Sequence, residues 1–146
     1  MANAYLLAIA HHLAVFTLVA LLAAETALMR PGLSAVDLRR LALLDRGYGL
    51  SAALVLAIGF SRAVWGVRGW DYYADNPVFW AKVGAFAAVG LLSIAPTLKI
   101  LAWRKPGAAL PSDAEVVTAR RWLAAEWILF PVIPILAAAL GLGLGR

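Results

Sequence analysis

The sequence predicts an all-α integral membrane protein, folded as an up-and-down bundle of four transmembrane helices. Hydrophobic residues make up 64% of the 146-residue chain, and the mean hydropathy is +0.84. Charged residues make up only 14%, whereas an ordinary soluble domain has about 25%, so most of the surface must face something other than water. The hydrophobic residues fall into four runs, each close to the roughly 20 residues that cross the hydrocarbon core of a bilayer.

The four predicted helices form one domain that covers the whole chain, residues 1–146, with approximate bounds 4–29, 35–65, 77–103 and 113–144. The first run is too long for the apolar core of a signal peptide, so we interpret it as a retained helix. Prolines inside the later helices remove backbone hydrogen bonds and are expected to kink them. These are Pro96 in helix 3 and Pro131 and Pro134 in helix 4.

Local start signals support three of these bounds. Ser34 and Ser112 each precede an acidic residue by three positions, a capping-box pattern that starts helices 2 and 4 before their apolar parts. Asn76 followed by Pro77 is the N-cap and first-turn pattern of helix 3.

Positive charge is concentrated in two of the three links. The link between helices 1 and 2 and the link between helices 3 and 4 are rich in arginine and lysine, whereas the middle link balances its arginines with aspartates. This bias predicts that both termini lie outside and that the two basic links lie in the cytoplasm. Because the basic residues flank apolar runs and form no continuous tract, nucleic-acid binding is not predicted. The chain has no cysteine, which excludes disulfides and thiolate metal sites.

The middle link is crowded with aromatic residues between Trp65 and Trp80. Aromatic side chains at this depth usually form an interfacial belt. The alternative is a lid over a flat apolar ligand held in the outer half of the bundle.

One group of polar residues is expected near the outer end of the spans. It consists of His11 or His12 in helix 1, Arg62 at the end of helix 2 and Lys82 in the second turn of helix 3. One imidazole with two cations suits haem, since the iron takes a neutral imidazole and the two propionates pair with arginine and lysine. The other interpretation is structural: the cations reach the headgroups and a histidine hydrogen-bonds a neighbouring helix.

A second group is expected near the inner end. It comprises both acidic and basic side chains on helices 1, 2 and 4, namely Glu25, Asp45, Arg46, Arg121 and Glu126. Opposite charges at matching depth most simply form ion pairs that fix the bundle. The alternative is a proton path between the cytoplasm and the interior.

His11, Arg62, the sequence Trp80-Ala81-Lys82 and the prolines of helix 4 resemble a bacterial family of membrane proteins catalogued as a domain of unknown function. That family is similar in layout to HemJ-type protoporphyrinogen oxidases and to the membrane domain of CopD-like copper-resistance proteins. The resemblance implies haem b held by His11 or His12 as axial ligand, with Arg62 and Lys82 on the propionates. HemJ-type oxidases carry a further histidine late in helix 3, a region that has none in this chain.

The resemblance implies a haem-b-binding protein of the bacterial inner membrane, with both termini periplasmic, acting in electron transfer or in oxidation of a tetrapyrrole such as protoporphyrinogen. The partners expected are the lipid bilayer, a quinone or electron-transfer protein, and a second copy of the chain. Two other functions stay open. One is a non-enzymatic assembly or partner protein, and the other is a small transporter for copper or another solute, although the chain has few soft ligands.

Overall fold

The computed structural model of the chain describes residues 2–145, and these residues form six α-helices without a strand. The helices are α1 Ala2–Leu28, α2 Ala35–Trp65, α3 Trp70–Ala74, α4 Pro77–Trp103, α5 Asp113–Leu129 and α6 Val132–Gly141. Four stretches are long and apolar enough to cross a membrane: α1, α2, α4, and α5 continued by α6. The predicted four-helix membrane fold is therefore confirmed.

The three predicted start signals are confirmed. Ser34 and Ser112 each form a complete capping box, in which the serine and the acidic residue three positions later exchange hydrogen bonds with each other's backbone N–H groups. The Asn76 side chain accepts hydrogen bonds from the backbone N–H groups of Val78 and Phe79, and Pro77 occupies the first turn.

The fourth span differs from the continuous helix that was predicted over residues 113–144. It is interrupted at Phe130 and Pro131, between α5 and α6. Pro131 has no backbone N–H and its ring crowds the preceding turn, so it weakens the helix at this point. Pro96 does not interrupt its helix: it is buried within α4, and α4 continues past it to Trp103.

The spans pack in chain order around a common core. Contacts join α1 to α2, α2 to α4, α4 to both α5 and α6, and α5 back to α1. The core-facing stripe of α1 contains the buried residues Leu18, Leu22 and Glu25, and the buried Met29 continues it just past the end of the helix. These positions match a helical spacing of three and four. Large apolar side chains on the opposite faces are exposed, as is expected where a bundle contacts lipid.

We call the end of the bundle with both termini the outer end, and the end with the two basic links the inner end. The aromatic residues of the outer link pack mainly on one another. Phe79 is buried, and its ring makes edge contacts with the rings of Phe60, Trp70 and Trp80. Trp65 instead remains exposed. This packing is compatible with a belt and with a lid, so both interpretations stay open.

Two arginines hold helix ends together across the bundle. At the outer end, the Arg68 guanidinium donates to the carbonyl oxygens of Leu140 and Gly141, where α6 ends. At the inner end, the Arg120 guanidinium donates to the carbonyl oxygens of Thr26 (3.1 Å) and Met29 (2.8 Å), where α1 ends. The last carbonyls of a helix lack partners within it, and a cation there also complements the helix dipole.

Replacing Arg120 with alanine is expected to destabilise the bundle by about 1–2 kcal/mol, because two carbonyl oxygens lose a charged donor. The measurement is the apparent melting temperature of the purified protein in detergent. Arg121 provides the control, since it is exposed and makes no hydrogen bond or ion pair within the described residues. Arg121→Ala should leave the melting temperature unchanged, and equal losses in the two variants would contradict the role of Arg120 as a cap.

Candidate functional site

The two adjacent histidines of α1 lie in different surroundings. His11 is partly buried, and its Nδ1 atom is fully enclosed without a hydrogen-bond partner among residues 3–145. His12 is exposed, and its Nδ1 lies 2.7 Å from the carbonyl oxygen of Ala8, one turn earlier in the helix. The structure therefore directs His11 into the bundle and His12 toward the outside.

His11 rests against a glycine of the neighbouring span. A Cβ atom at Gly59 would lie 3.2 Å from His11 Cε1 and 3.7 Å from its Nδ1, which is closer than most side chains tolerate. The absence of a side chain at Gly59 is thus what lets the imidazole pack closely against α2.

The two cations predicted to share the level of His11 do so. The positive charges of Arg62 on α2 and Lys82 on α4 both act on the His11 ring, and the charge of Arg62 acts on Lys82. Both side chains are partly buried, and the Lys82 ammonium lies 5.5 Å from the centre of the Phe79 ring. We call His11, Arg62 and Lys82 the outer cluster.

The outer cluster has no negative partner in the part of the chain that the structure describes: no carboxylate forms an ion pair with Arg62 or Lys82. The Lys82–Phe79 contact compensates the positive charge only in part, since a cation over an aromatic ring is stabilised by about 0.5–2 kcal/mol. Two cations and one imidazole from three spans thus converge without a counter-charge. Such an arrangement can accept an anionic ligand with two negative groups.

Carboxyl groups from three spans gather in the inner half. Glu25 on α1, Asp45 on α2 and Glu126 on α5 are buried, and their charges act on one another. The hydroxyl of Tyr48 donates to Glu126 Oε2 at 2.8 Å, and the hydroxyl of Thr97 donates to Asp45. We call Glu25, Asp45 and Glu126 the inner cluster.

The ion pairs expected at this level do not form within the described residues. Arg46 and Arg121 are both exposed, and neither contacts a carboxylate of the inner cluster. Arg46 directly follows Asp45, and consecutive helical residues point about 100° apart, so the two side chains leave α2 in different directions. The expected ion pairs through Arg46 and Arg121 therefore do not form among the described residues, and for Arg46 the direction of the side chain is the reason.

Neither cluster is arranged as a metal site made only of protein ligands. Among residues 2–145, no group of three or more histidine, aspartate or glutamate side chains could hold a metal ion. A single imidazole can still serve as the axial ligand of a metal that arrives within a macrocycle.

Three residues that complete these clusters were not singled out as site residues from sequence. Tyr48 lies three positions after Asp45, and Gly59 lies three positions before Arg62. This spacing places each on the same helix face as its predicted site residue, so their direction was foreseeable, although their partners were not. Thr97 lies in a region noted only for lacking a histidine, and no local signal links its hydroxyl to Asp45 across 52 positions of sequence.

One family model matches almost the whole chain, residues 3–145. It is described as predicted membrane protein, DUF2214. The chain belongs to this family. No curated protein and no solved structure is found to match it. Membership in DUF2214 confirms the family resemblance seen in the sequence, and the likeness in layout to HemJ-type oxidases and CopD-like domains stays a prediction.

Proposed function

We propose that this DUF2214 protein binds haem b in the outer half of its bundle, with His11 as an axial ligand. The observation that carries the proposal is the outer cluster: an inward-facing imidazole lies near two cations that form no ion pair with a carboxylate in the part of the chain that the structure describes. Haem brings an iron that binds imidazole and two propionates that carry negative charge, so it satisfies all three groups at once.

The donor set fits this cofactor in further respects. Haem iron binds a ring nitrogen of histidine, and Arg62 and Lys82 lie close enough to His11 for their charges to act on its ring. The same two cations would hold the propionates, which fixes the orientation of the ring. His12 points outward and the chain has no third histidine. The second axial position would therefore be left to an unidentified ligand, to an open site or to a second copy of the chain.

When bound, haem supplies one-electron redox chemistry. His11, Arg62 and Lys82 would anchor it and set its depth in the membrane. On this basis we propose a role in electron transfer or in the oxidation of a tetrapyrrole such as protoporphyrinogen, with a quinone or a respiratory-chain protein receiving electrons. We further propose a location in the bacterial inner membrane with both termini periplasmic, from the family and from the lysine and arginine bias of the links.

The absorption spectrum of the full-length protein, purified in detergent from haem-replete cells, tests cofactor binding. A Soret band and a pyridine haemochrome typical of haem b are expected. A colourless, folded protein would overturn the proposal and favour a non-enzymatic partner or assembly protein.

The oxidase activity needs its own test. The gene is expressed in a strain that lacks protoporphyrinogen oxidase, and growth without added haem is scored. Growth supports tetrapyrrole oxidation. Failure to grow despite good expression and a normal Soret band would leave electron transfer as the function of the haem.

A further inference from the structure

The inner cluster is not used by the proposed haem site, because it lies about 21 Å farther along the bundle axis, judged from the 14 residues that separate His11 from Glu25 at 1.5 Å per residue. Glu25 and Glu126 are among the most deeply buried side chains of the protein, with exposed fractions of 1% and 0%. A buried carboxyl at this depth of a membrane protein needs a specific physical explanation.

The hydrogen bonds of the cluster are incomplete in a specific pattern. Glu126 accepts one bond from Tyr48, while its Oε1 atom has no partner, and both carboxyl oxygens of Glu25 have none among residues 3–145. Glu25 is thus a fully buried, unpartnered side chain that faces two other acids. Arg120 of α5 is committed to the carbonyl oxygens at the end of α1.

These contacts decide which ligand the cluster can take. Ionising all three carboxyls at once would place like charges together in a region of low dielectric without a counter-ion, which is strongly unfavourable. A cation must therefore accompany them. A metal ion is not favoured, since the three carboxyls are not arranged to coordinate one. A proton has no such geometric requirement, and one bound to Glu25 removes the charge of the side chain that lacks donors.

The cluster also has a route to the inner end of the bundle. A cleft of about 420 Å³ opens between α2 and α4, and its walls include Asp45, Thr97, Arg46 and Arg104. Arg104 caps the end of α4, so the cleft reaches the basic link between the third and fourth spans. Asp45 lies on its wall with an exposed fraction of 9% and is the member of the cluster that water reaches most readily.

We propose that Glu25, Asp45 and Glu126 form a proton-binding site inside the membrane, loaded through the Asp45 cleft from the side of the basic links. A proton from water enters at Asp45 and passes to Glu25 or Glu126, whose carboxyl oxygens receive it. This inference rests on the carboxyls alone and does not depend on the proposed haem. Four other ionisable groups lie beside the site or its cleft. Tyr48 on α2 donates a hydrogen bond to Glu126, Arg46 and Arg104 line the cleft, and Arg120 on α5 donates to the end of α1.

Infrared spectroscopy of the full-length protein in lipid nanodiscs tests the site. We expect the carbonyl stretch of a protonated carboxyl at neutral pH, and a shift of this band in D₂O as the proton exchanges. Glu25→Gln or Glu126→Gln should remove part of the band. Asp45→Asn should preserve the Glu25 signal and slow its exchange several-fold, because the entry residue is lost.

Glu115→Gln is the matched control, since Glu115 is an exposed capping-box residue in contact with water. It should leave the band unchanged. Absence of a protonated-carboxyl band at neutral pH would overturn the proposal, and so would a band that does not shift in D₂O, which would show a sealed acid used only for packing. The proposal would also be overturned if neither Glu25→Gln nor Glu126→Gln reduced the intensity of the band.

A measurement on the unaltered protein covers the case in which these variants fail to fold. Dicyclohexylcarbodiimide is apolar and adds to protonated carboxyls, and mass spectrometry of peptides locates the adduct. Modification of Glu25 or Glu126 that decreases as the pH rises supports the site. Modification confined to exposed acids such as Glu115 overturns it.

Discussion

Replacing His11 with alanine is expected to abolish the Soret band of the purified protein, whereas replacing His12 is expected to preserve it. The reason is that the two side chains point in different directions from α1. His11 faces the bundle near Arg62 and Lys82, while His12 is exposed and its Nδ1 lies within hydrogen-bonding distance of the Ala8 carbonyl. Since the two residues are adjacent and chemically identical, each variant is the control for the other.

The decisive measurement is the ratio of haem to protein in each variant, together with helix content by circular dichroism. Imidazole added to the His11→Ala protein should restore part of the Soret band if the side chain acts as a ligand, because a free imidazole can occupy the vacated space. If both variants retain the band, the assignment of a histidine ligand is wrong. If only His12→Ala loses it, the haem lies on the opposite face of α1.

Replacing Gly59 with leucine is expected to remove most of the bound haem without unfolding the bundle. A Cβ atom at this position already lies 3.2 Å from His11 Cε1, so the remainder of a leucine side chain has to displace the imidazole. Overpacking of this kind costs about 1–3 kcal/mol, which is enough to move a side chain but not to disrupt four packed spans. Gly59→Ala should have a smaller effect, since a shift of a few tenths of an ångström accommodates the methyl group.

Gly49 offers the matched control on the same helix. A Cβ atom at Gly49 would have nothing within 4 Å, and the residue is exposed. Glycine-to-leucine substitution raises helix propensity at either position by a similar amount, up to about 1 kcal/mol, so only the contact with His11 differs. Equal haem content in Gly59→Leu and Gly49→Leu would show that haem binding does not depend on the packing of His11 against Gly59.

The positions of the spans could be predicted because their determinants are local. Length and apolar composition identify a membrane helix, and a serine followed three positions later by an acid satisfies the free N–H groups of a helix start whatever the rest of the chain does. The structure has both capping boxes and the Asn76 cap where these signals lie. The break at Pro131 was foreseen only as a kink, since whether a helix resumes smoothly after proline depends on its neighbours.

The long-range roles of two arginines could not be predicted. From the sequence, Arg68 and Arg120 are expected only to contribute positive charge to the links. In the structure, each donates hydrogen bonds to carbonyl groups at the end of another span. Every residue has a backbone carbonyl, so the sequence does not indicate which carbonyl an arginine will contact. The partner can be identified only once the packing of the spans is known.

The sequence by itself determined the membrane class, the four spans and the depth of each polar residue, because the helical rise of 1.5 Å per residue converts position into depth. Only the tertiary structure decided which groups meet at a given depth. It turned His11 inward and His12 outward, joined His11 to Gly59, and left the inner carboxyls without Arg46 and Arg121. The physical reason is that contact in a bundle depends on the rotation of each helix about its axis, which is fixed by the packing of all its neighbours together.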